Sequence, residues 1–280
     1  MQRKLKNILA ALTPPIAWEG VRRILSGVRG RQIRFAGDFK SWADAEACST
    51  GYGAQDILER TIEAARKVSS DEAAFARDGV AFGEMEHNFP LAWALMHAAT
   101  RYGRLHVLDF GGALGSTYFQ SRALIHAASD VRWAIVEQPA YVAAGTKEFG
   151  NRALSFHATI DAARRQGDFD VLLLSSVIQY LPDPLGFLDS VLAREFPTVI
   201  LDRTPFMVDD RMRLTVQRVP DWIYPASYPA WLFSEAELVA RFAQQYELIV
   251  GWPGSDNVQP EKGKAIFKGF IFERKKTGGA

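Results

Sequence analysis

The hydrophobic pattern of the 280-residue chain changes period repeatedly, and each change marks an expected element. Apolar runs of strand length recur through the second half: HVL at 106–108, VRWAIV at 131–136, LSFH at 154–157, FDVLLLSS at 169–176 and TVIL at 198–201. Such runs, apolar almost throughout and spaced by helical segments, are what parallel strands buried on both faces require. Helices are predicted at 91–101, leading into the first run, and at 117–128. Ser234 followed by Glu237 is a capping box that starts a helix reaching about residue 245. Residues 246–252 and 265–273 then read as two more strands, the closing antiparallel pair. The expected fold is therefore α/β and Rossmann-like, with seven mostly parallel strands and an antiparallel last strand.

Upstream the period is helical. Ser41 with Asp44 reads as an N-cap and acidic first turn for a helix over 42–48. Gly51-Tyr52-Gly53 breaks it, and Ile57, Leu58, Ile62, Ala65 and Val68 resume helical spacing. Residues 35–105 are thus predicted to be largely helical and to supply no sheet. Residues 1–90 form a helical N-terminal extension and 91–280 the main domain. The segment 212–229, with Trp222, Tyr224, Tyr228 and three prolines, reads equally as an aromatic lid over a pocket or as a hairpin shielding the sheet edge.

Composition narrows the class. The chain is 48% apolar and 23% charged, ordinary for a globular protein, and its net charge of +1 gives no case for nucleic acid binding. Cys48 stands alone, which excludes an internal disulfide and a cysteine metal cluster and fits a reducing cytoplasm. No window approaches the roughly 18 apolar residues of a spanning helix. The short apolar patch 8–12, ended by Pro14-Pro15, argues against a secretory signal. Charge is nevertheless uneven. Residues 1–34 carry Arg3, Lys4, Lys6, Arg22, Arg23, Arg29, Arg31 and Arg34 against Glu19 alone, interleaved with apolar side chains. This arm suits peripheral contact with an anionic membrane, or packing on its own domain or a second subunit. Glu84, Glu86 and His87 lack further well-spaced ligands, so no metal site is expected.

The chemistry concentrates in HVLDFGGALGSTY, residues 106–118. An apolar strand reaches Asp109, and glycines at 111, 112 and 115 allow a tight turn whose backbone N–H groups face a ligand. A dinucleotide turn of the form G-x-G-x-x-G fails here, because counting from Gly111 its later positions hold Ala113 and Ser116. A nicotinamide oxidoreductase is disfavoured on that ground. The looser pattern acidic-x-Gly-x-x-x-Gly resembles the first motif of class I S-adenosylmethionine (AdoMet) methyltransferases, with Ala113 where a further glycine often stands. Glu137 closes the second strand, where two carboxylate oxygens match the vicinal diol of a ribose.

Five segments, FAGDFKSWADAEACSTGYGAQDIL, LDFGGALGSTYFQSR, WAIVEQPAYVAAG, LLSSVIQYLPDP and LDRTPF, occur in this order between about residues 35 and 272. Together they resemble a family of bacterial AdoMet-dependent methyltransferases, often associated with surface-polysaccharide genes, whose acceptors are largely undefined. The resemblance implies a class I methyltransferase domain with a helical N-terminal extension. It implies AdoMet as cofactor, held by Asp109, Phe110, Gly111, Gly112, Gly115, Tyr118, Glu137, Gln138, Ser175 and Ser176. The acceptor would be a small molecule or a glycan precursor methylated on oxygen. Tyr180, Asp202 and Arg203, at the ends of the fourth and fifth strands, are the candidate catalytic residues: Tyr180 and Asp202 as proton sinks, Arg203 as a clamp for an acidic acceptor. Asp183 is a further candidate base. Tyr180 reads equally as a packing residue, and an AdoMet-binding regulator or complex subunit without transferase activity is the alternative.

Overall fold

Local signals place most elements where the pattern predicts them. The computed structural model describes residues 34–50, 54–70, 72, 75–77, 80–83, 88–125, 128, 130–219 and 226–276. In chain order these form β1 (Arg34–Phe39), α1 (Trp42–Ala47), α2 (Ala54–Ser69), β2 (Phe75–Arg77), β3 (Val80–Phe82), α3 (Phe89–Tyr102), β4 (Leu105–Phe110), α4 (Ser116–Ile125), β5 (Val131–Val136), α5 (Pro139–Glu148), β6 (Leu154–His157), α6 (Ile160–Arg164) and β7 (Val171–Ser175). A 3-10 turn over Ile178–Tyr180 follows, then α7 (Pro184–Leu192), β8 (Thr198–Met207), β9 (Arg213–Arg218), β10 (Ser227–Leu232), α8 (Glu235–Ala243), β11 (Tyr246–Pro260) and β12 (Ala265–Arg274). Ser41 and Ser234 cap α1 and α8 by accepting from the N–H three residues on, at 3.2 and 3.0 Å.

Seven strands lie in the order β6-β5-β4-β7-β8-β12-β11. The first five are mutually parallel, and β12 runs antiparallel to both β8 and β11. This is the class I methyltransferase sheet. Its chain runs outward from β4 through β5 and β6, then returns to β7 on the other side of β4. The β4–β7 junction is therefore the topological switch point, where the carboxyl ends of open α/β sheets leave a crevice. One face buries Leu108, Leu172, Leu174 and Leu201 against α6, α7 and α8; the other buries Val107, Trp133, Leu173 and Ile200 against α2, α3 and α4.

β1 and the antiparallel β2–β3 pair overturn the expectation that residues 35–105 supply no sheet, and β1, β9 and β10 add three strands to the seven. β1 pairs with the end of β11 and with β9, and β9 pairs with β10. β8, β11 and β12 are longer than predicted and extend past the edge of the seven-stranded sheet. The Met207 N–H donates to the Phe233 carbonyl, and the Phe233 N–H donates to that of Pro205, both at 2.9 Å. These bonds join the end of β8 to the residue after β10, closing β8-β12-β11-β1-β9-β10 into a six-stranded ring. Phe35, Met207, Ala230, Leu232 and Phe267 fill it. Residues 213–218 and 227–232 are thus strands, and this hairpin completes a small barrel over the sheet's carboxyl edge. Closure leaves no open strand edge there. Trp222 and Tyr224 lie outside the described residues, as do Glu84, Glu86, His87 and residues 1–33 of the basic arm.

Candidate functional site

The turn after β4 begins with a conformation that glycine favours. Gly111 has φ +75°, and its N–H donates to the Val136 carbonyl at 2.9 Å, holding the turn to β5. A Cβ there would lie 2.3 Å from Val177 Cγ2. The bare backbone is what lets the turn after β7 close onto the turn after β4 at the switch point. Gly112 has Asp109 beneath it: a Cβ on Gly112 would lie 2.5 Å from Asp109 Oδ2. Gly115, at φ +93°, accepts from the Phe119 N–H in the first turn of α4. Ala113, standing where the motif often has glycine, takes φ +49°.

Ser176 at φ +54° and Arg203 at φ +48° are also left-handed, at the end of β7 and within β8. With Ala113 they put three strained non-glycine residues on the carboxyl edge. Left-handed backbone costs a side chain about 1–2 kcal/mol each, and such residues cluster at functional sites.

Asp109 is 1% exposed, and its carboxylate accepts from the Trp133 indole N–H at 3.0 Å. Burial pushes its pKa up to about 7, against the opposing effect of the indole hydrogen bond. Glu137, half-buried at the end of β5, accepts from the Gln138 backbone N–H at 2.7 Å and from that of Ala113. It therefore ties the end of β5 to the glycine turn. Burial raises its pKa as well. Phe110 is half-buried with its ring 4.5 Å from that of Phe187. Gln138 is exposed at the N-cap position of α5 without a side-chain cap bond. Tyr118 goes elsewhere than the resemblance implies: it is 9% exposed and packs edge-on against Trp133 in the α3-side core.

On the acceptor side, Asp202 is 2% exposed. Its carboxylate accepts from the Ser175 hydroxyl at 2.8 Å and from the Asn88 amide at 3.1 Å on each oxygen. Ser176 N–H donates to the Asp202 carbonyl at 2.9 Å. Ser175 and Asp202 are therefore bonded to each other, and Asn88 completes the clamp. Asn88 also caps α3 by accepting from the Leu91 N–H at 3.2 Å. The local sequence, Asn before Phe89-Pro90, carries an N-cap signal that sequence reading did not use; the tie to a residue 114 positions later has no local signature. Gln179 is fully buried; its amide nitrogen donates to Ser176 Oγ at 3.1 Å, while Oε1 has no hydrogen-bond partner.

Tyr180 points its ring into the barrel, against the two clusters that contain Leu232 and Tyr228. Its hydroxyl donates to Gln217 Oε1 at 3.0 Å, and the Gln217 amide donates to the Tyr228 hydroxyl at 3.1 Å. Gln217 is buried, and nothing in its sequence context points to this role. Asp183 caps α7 by accepting from the Gly186 N–H at 2.9 Å. A cavity of about 760 Å³ lies at the opposite, amino-terminal edge, lined by Asp130, Arg132, Arg152 and Asp168 among others. It is remote from the glycine turn. Among the described residues, no group of three or more His, Cys, Asp or Glu is arranged to hold a metal ion, and no helix is long and apolar enough to cross a membrane.

No family model and no curated protein matches the chain. Among solved structures, it is similar to magnesium protoporphyrin IX methyltransferase from Synechocystis with bound S-adenosylmethionine, at 14% identity and TM-score 0.44 over 78% of this chain and 97% of that one. It is also similar to the N-methyltransferase NodS from Bradyrhizobium japonicum in complex with S-adenosylhomocysteine, at 13% and 0.41 over 79% and 100%. The glycopeptide N-methyltransferase MtfA, also with S-adenosylhomocysteine, matches at 15% and 0.42 over 66% and 90%. At these identities and scores the similarities add nothing to what the strand order and the turn geometry establish.

Proposed function

We propose that the chain is an AdoMet-dependent methyltransferase that acts on oxygen of a small-molecule or glycan acceptor. The observation that carries this reading is the pairing of the Gly111 turn with Glu137 at the switch point. There a side-chain-free backbone lies beside a carboxylate fixed by the Ala113 N–H. These residues fit the cofactor. Gly111 and Gly112 let Val177 and the Asp109 carboxylate close against the turn and so fix its shape, Glu137 retains acceptor capacity for two ribose hydroxyls, and Phe110 and Gln138 flank it. The cofactor would supply an electrophilic methyl group on a sulfonium for in-line displacement. What the chain contributes is alignment and exclusion of water.

The candidate catalytic residues divide by their bonding. Asp202 accepts three hydrogen bonds on its carboxylate from two donors, Asn88 and Ser175, and serves best as a positioning residue that ties the end of β7 to the middle of β8. Tyr180, whose hydroxyl donates to Gln217, is the candidate to meet the acceptor hydroxyl. Arg203 supplies the positive charge for an anionic acceptor. One observation favours the second reading, cofactor binding without transfer: the Asp202 carboxylate is already occupied. Transfer of radiolabel from methyl-labelled AdoMet to sugar and small-molecule hydroxyl acceptors separates the two. Label incorporation that falls in Tyr180→Phe supports the transferase; AdoMet binding with no incorporation into any acceptor class supports the binding protein.

A further inference from the structure

Asp109 projects to the same face of β4 as Leu105 and Val107, and its paired neighbours on β5 and β7 are Ile135 and Leu173. A carboxylate in such surroundings needs a fixed donor. Trp133, opposite Val107 on β5, supplies it: the indole is 1% exposed, and its N–H reaches Asp109 Oδ2 at 3.0 Å. The Tyr118 ring stands edge-on against the indole, 5.7 Å between centroids, and limits its swing. The same Oδ2 lies directly under the Gly112 backbone.

We infer that Trp133 is a positioning residue for cofactor binding, which through its indole N–H holds the Asp109 carboxylate against Gly112 and so sets the shape of the turn above. The inference rests on the reading of residues 111–115 as the AdoMet site. Trp133, 1% exposed, acts through Asp109. The ionisable groups facing this pair are Glu137, whose charge opposes ionisation of Asp109, and Tyr118, behind the indole on α4. β7 presents Leu173, and α3 presents Leu91 and Leu95 to the same cluster. A donor bond to a carboxylate is stronger than one to a neutral acid, so the prop slackens when Asp109 takes up a proton.

The test is calorimetric titration of S-adenosylhomocysteine (AdoHcy) into the full chain from about pH 5.5 to about pH 8.5, alongside ligand-free melting curves. Wild type should lose affinity severalfold as pH falls through an inflection near neutrality. Trp133→Phe keeps an aromatic ring and removes the N–H. It should bind about tenfold more weakly on the alkaline side, with its inflection moved to higher pH, because the bond that favoured the carboxylate is gone. Asp109→Asn should show no inflection. Trp133→Phe that melts lower but keeps wild-type affinity and inflection reduces Trp133 to a core residue and overturns the inference. If Trp133→Phe does not fold, Asp109→Asn decides: a flat profile supports the prop and a retained inflection overturns it. Failure of wild type to bind AdoHcy at any pH overturns the cofactor reading, and this inference with it.

Discussion

Gly111→Ala tests the switch-point geometry by adding one methyl group. Two costs follow from the structure. The first is conformational, since φ +75° is left-handed and costs an alanine about 1–2 kcal/mol. The second is steric: the new Cβ would start 2.3 Å from Val177 Cγ2 and 2.9 Å from its Cβ, so the β7 turn must retreat. Overpacking of this kind costs about 1–3 kcal/mol, giving a total of about 2–5 kcal/mol. Gly103→Ala isolates the first cost. It has φ +67° at the end of α3, and a Cβ there meets nothing within 4 Å, so it should lose only about 1–2 kcal/mol. Val177→Ala removes the clashing methyl groups and should restore part of the loss in the double variant, as a positive coupling in a double-mutant cycle. Urea unfolding of wild type, the three single variants and the double variant gives all the terms. If Gly111→Ala costs no more than Gly103→Ala, or the cycle shows no coupling, the two turns do not meet as described.

Other outcomes follow from single bonds. Asn88→Ser keeps a hydroxyl to cap α3 and loses both bonds to Asp202; it should cost about 1.5–3 kcal/mol, the scale for hydrogen bonds to a charged group, and Asn88→Ala should cost more by urea unfolding. Asp109 should make stability fall with alkalinity. Its folded pKa of about 7 lies above the ordinary aspartate value of 3.8, so the folded state keeps a proton that the unfolded chain has released. Stability should decline between about pH 4 and about pH 7 and level off above, by up to ~4 kcal/mol, and Asp109→Asn should remove that decline. Tyr180→Phe loses the bond to Gln217 and should reduce methyl transfer while leaving AdoMet affinity within about threefold, under 1 kcal/mol; equal losses of melting temperature and cofactor affinity would assign Tyr180 to packing alone. If the basic arm, residues 1–34, docks on membrane, deleting it should abolish sedimentation with anionic vesicles and leave AdoHcy affinity intact; loss of solubility would instead mean that the arm covers an apolar face.

The seven-stranded sheet was legible because buried parallel strands leave unbroken apolar runs, as at 169–176, and because the glycine turn after β4 has its own spacing. The barrel was not. β1 is six residues with a glycine in a helix-rich stretch, and its partners, Gln259, Pro260 and Gln217, lie more than half the chain away. Long-range pairing leaves no period in the strand that receives it. The site divides the same way. Gly111 and Glu137 carry their signals locally, in backbone freedom and in position at a strand end. Asn88, Trp133 and Gln217 act through partners that only the fold supplies. The resemblance implies a ligand contact for Tyr118, but helical geometry turns its ring inward onto Trp133, a packing that the sequence does not signal.

The most direct test of the central claim is calorimetric titration of AdoHcy into the wild-type chain and into Glu137→Ala, with NADH as control. Wild type should bind AdoHcy with a defined stoichiometry and ignore NADH. The alanine variant should bind more weakly by about 1.5–3 kcal/mol, because the ribose hydroxyls lose a charged acceptor. Equal affinities for AdoHcy in the two proteins, or binding of NADH in its place, would contradict a cofactor seated between the Gly111 turn and Glu137.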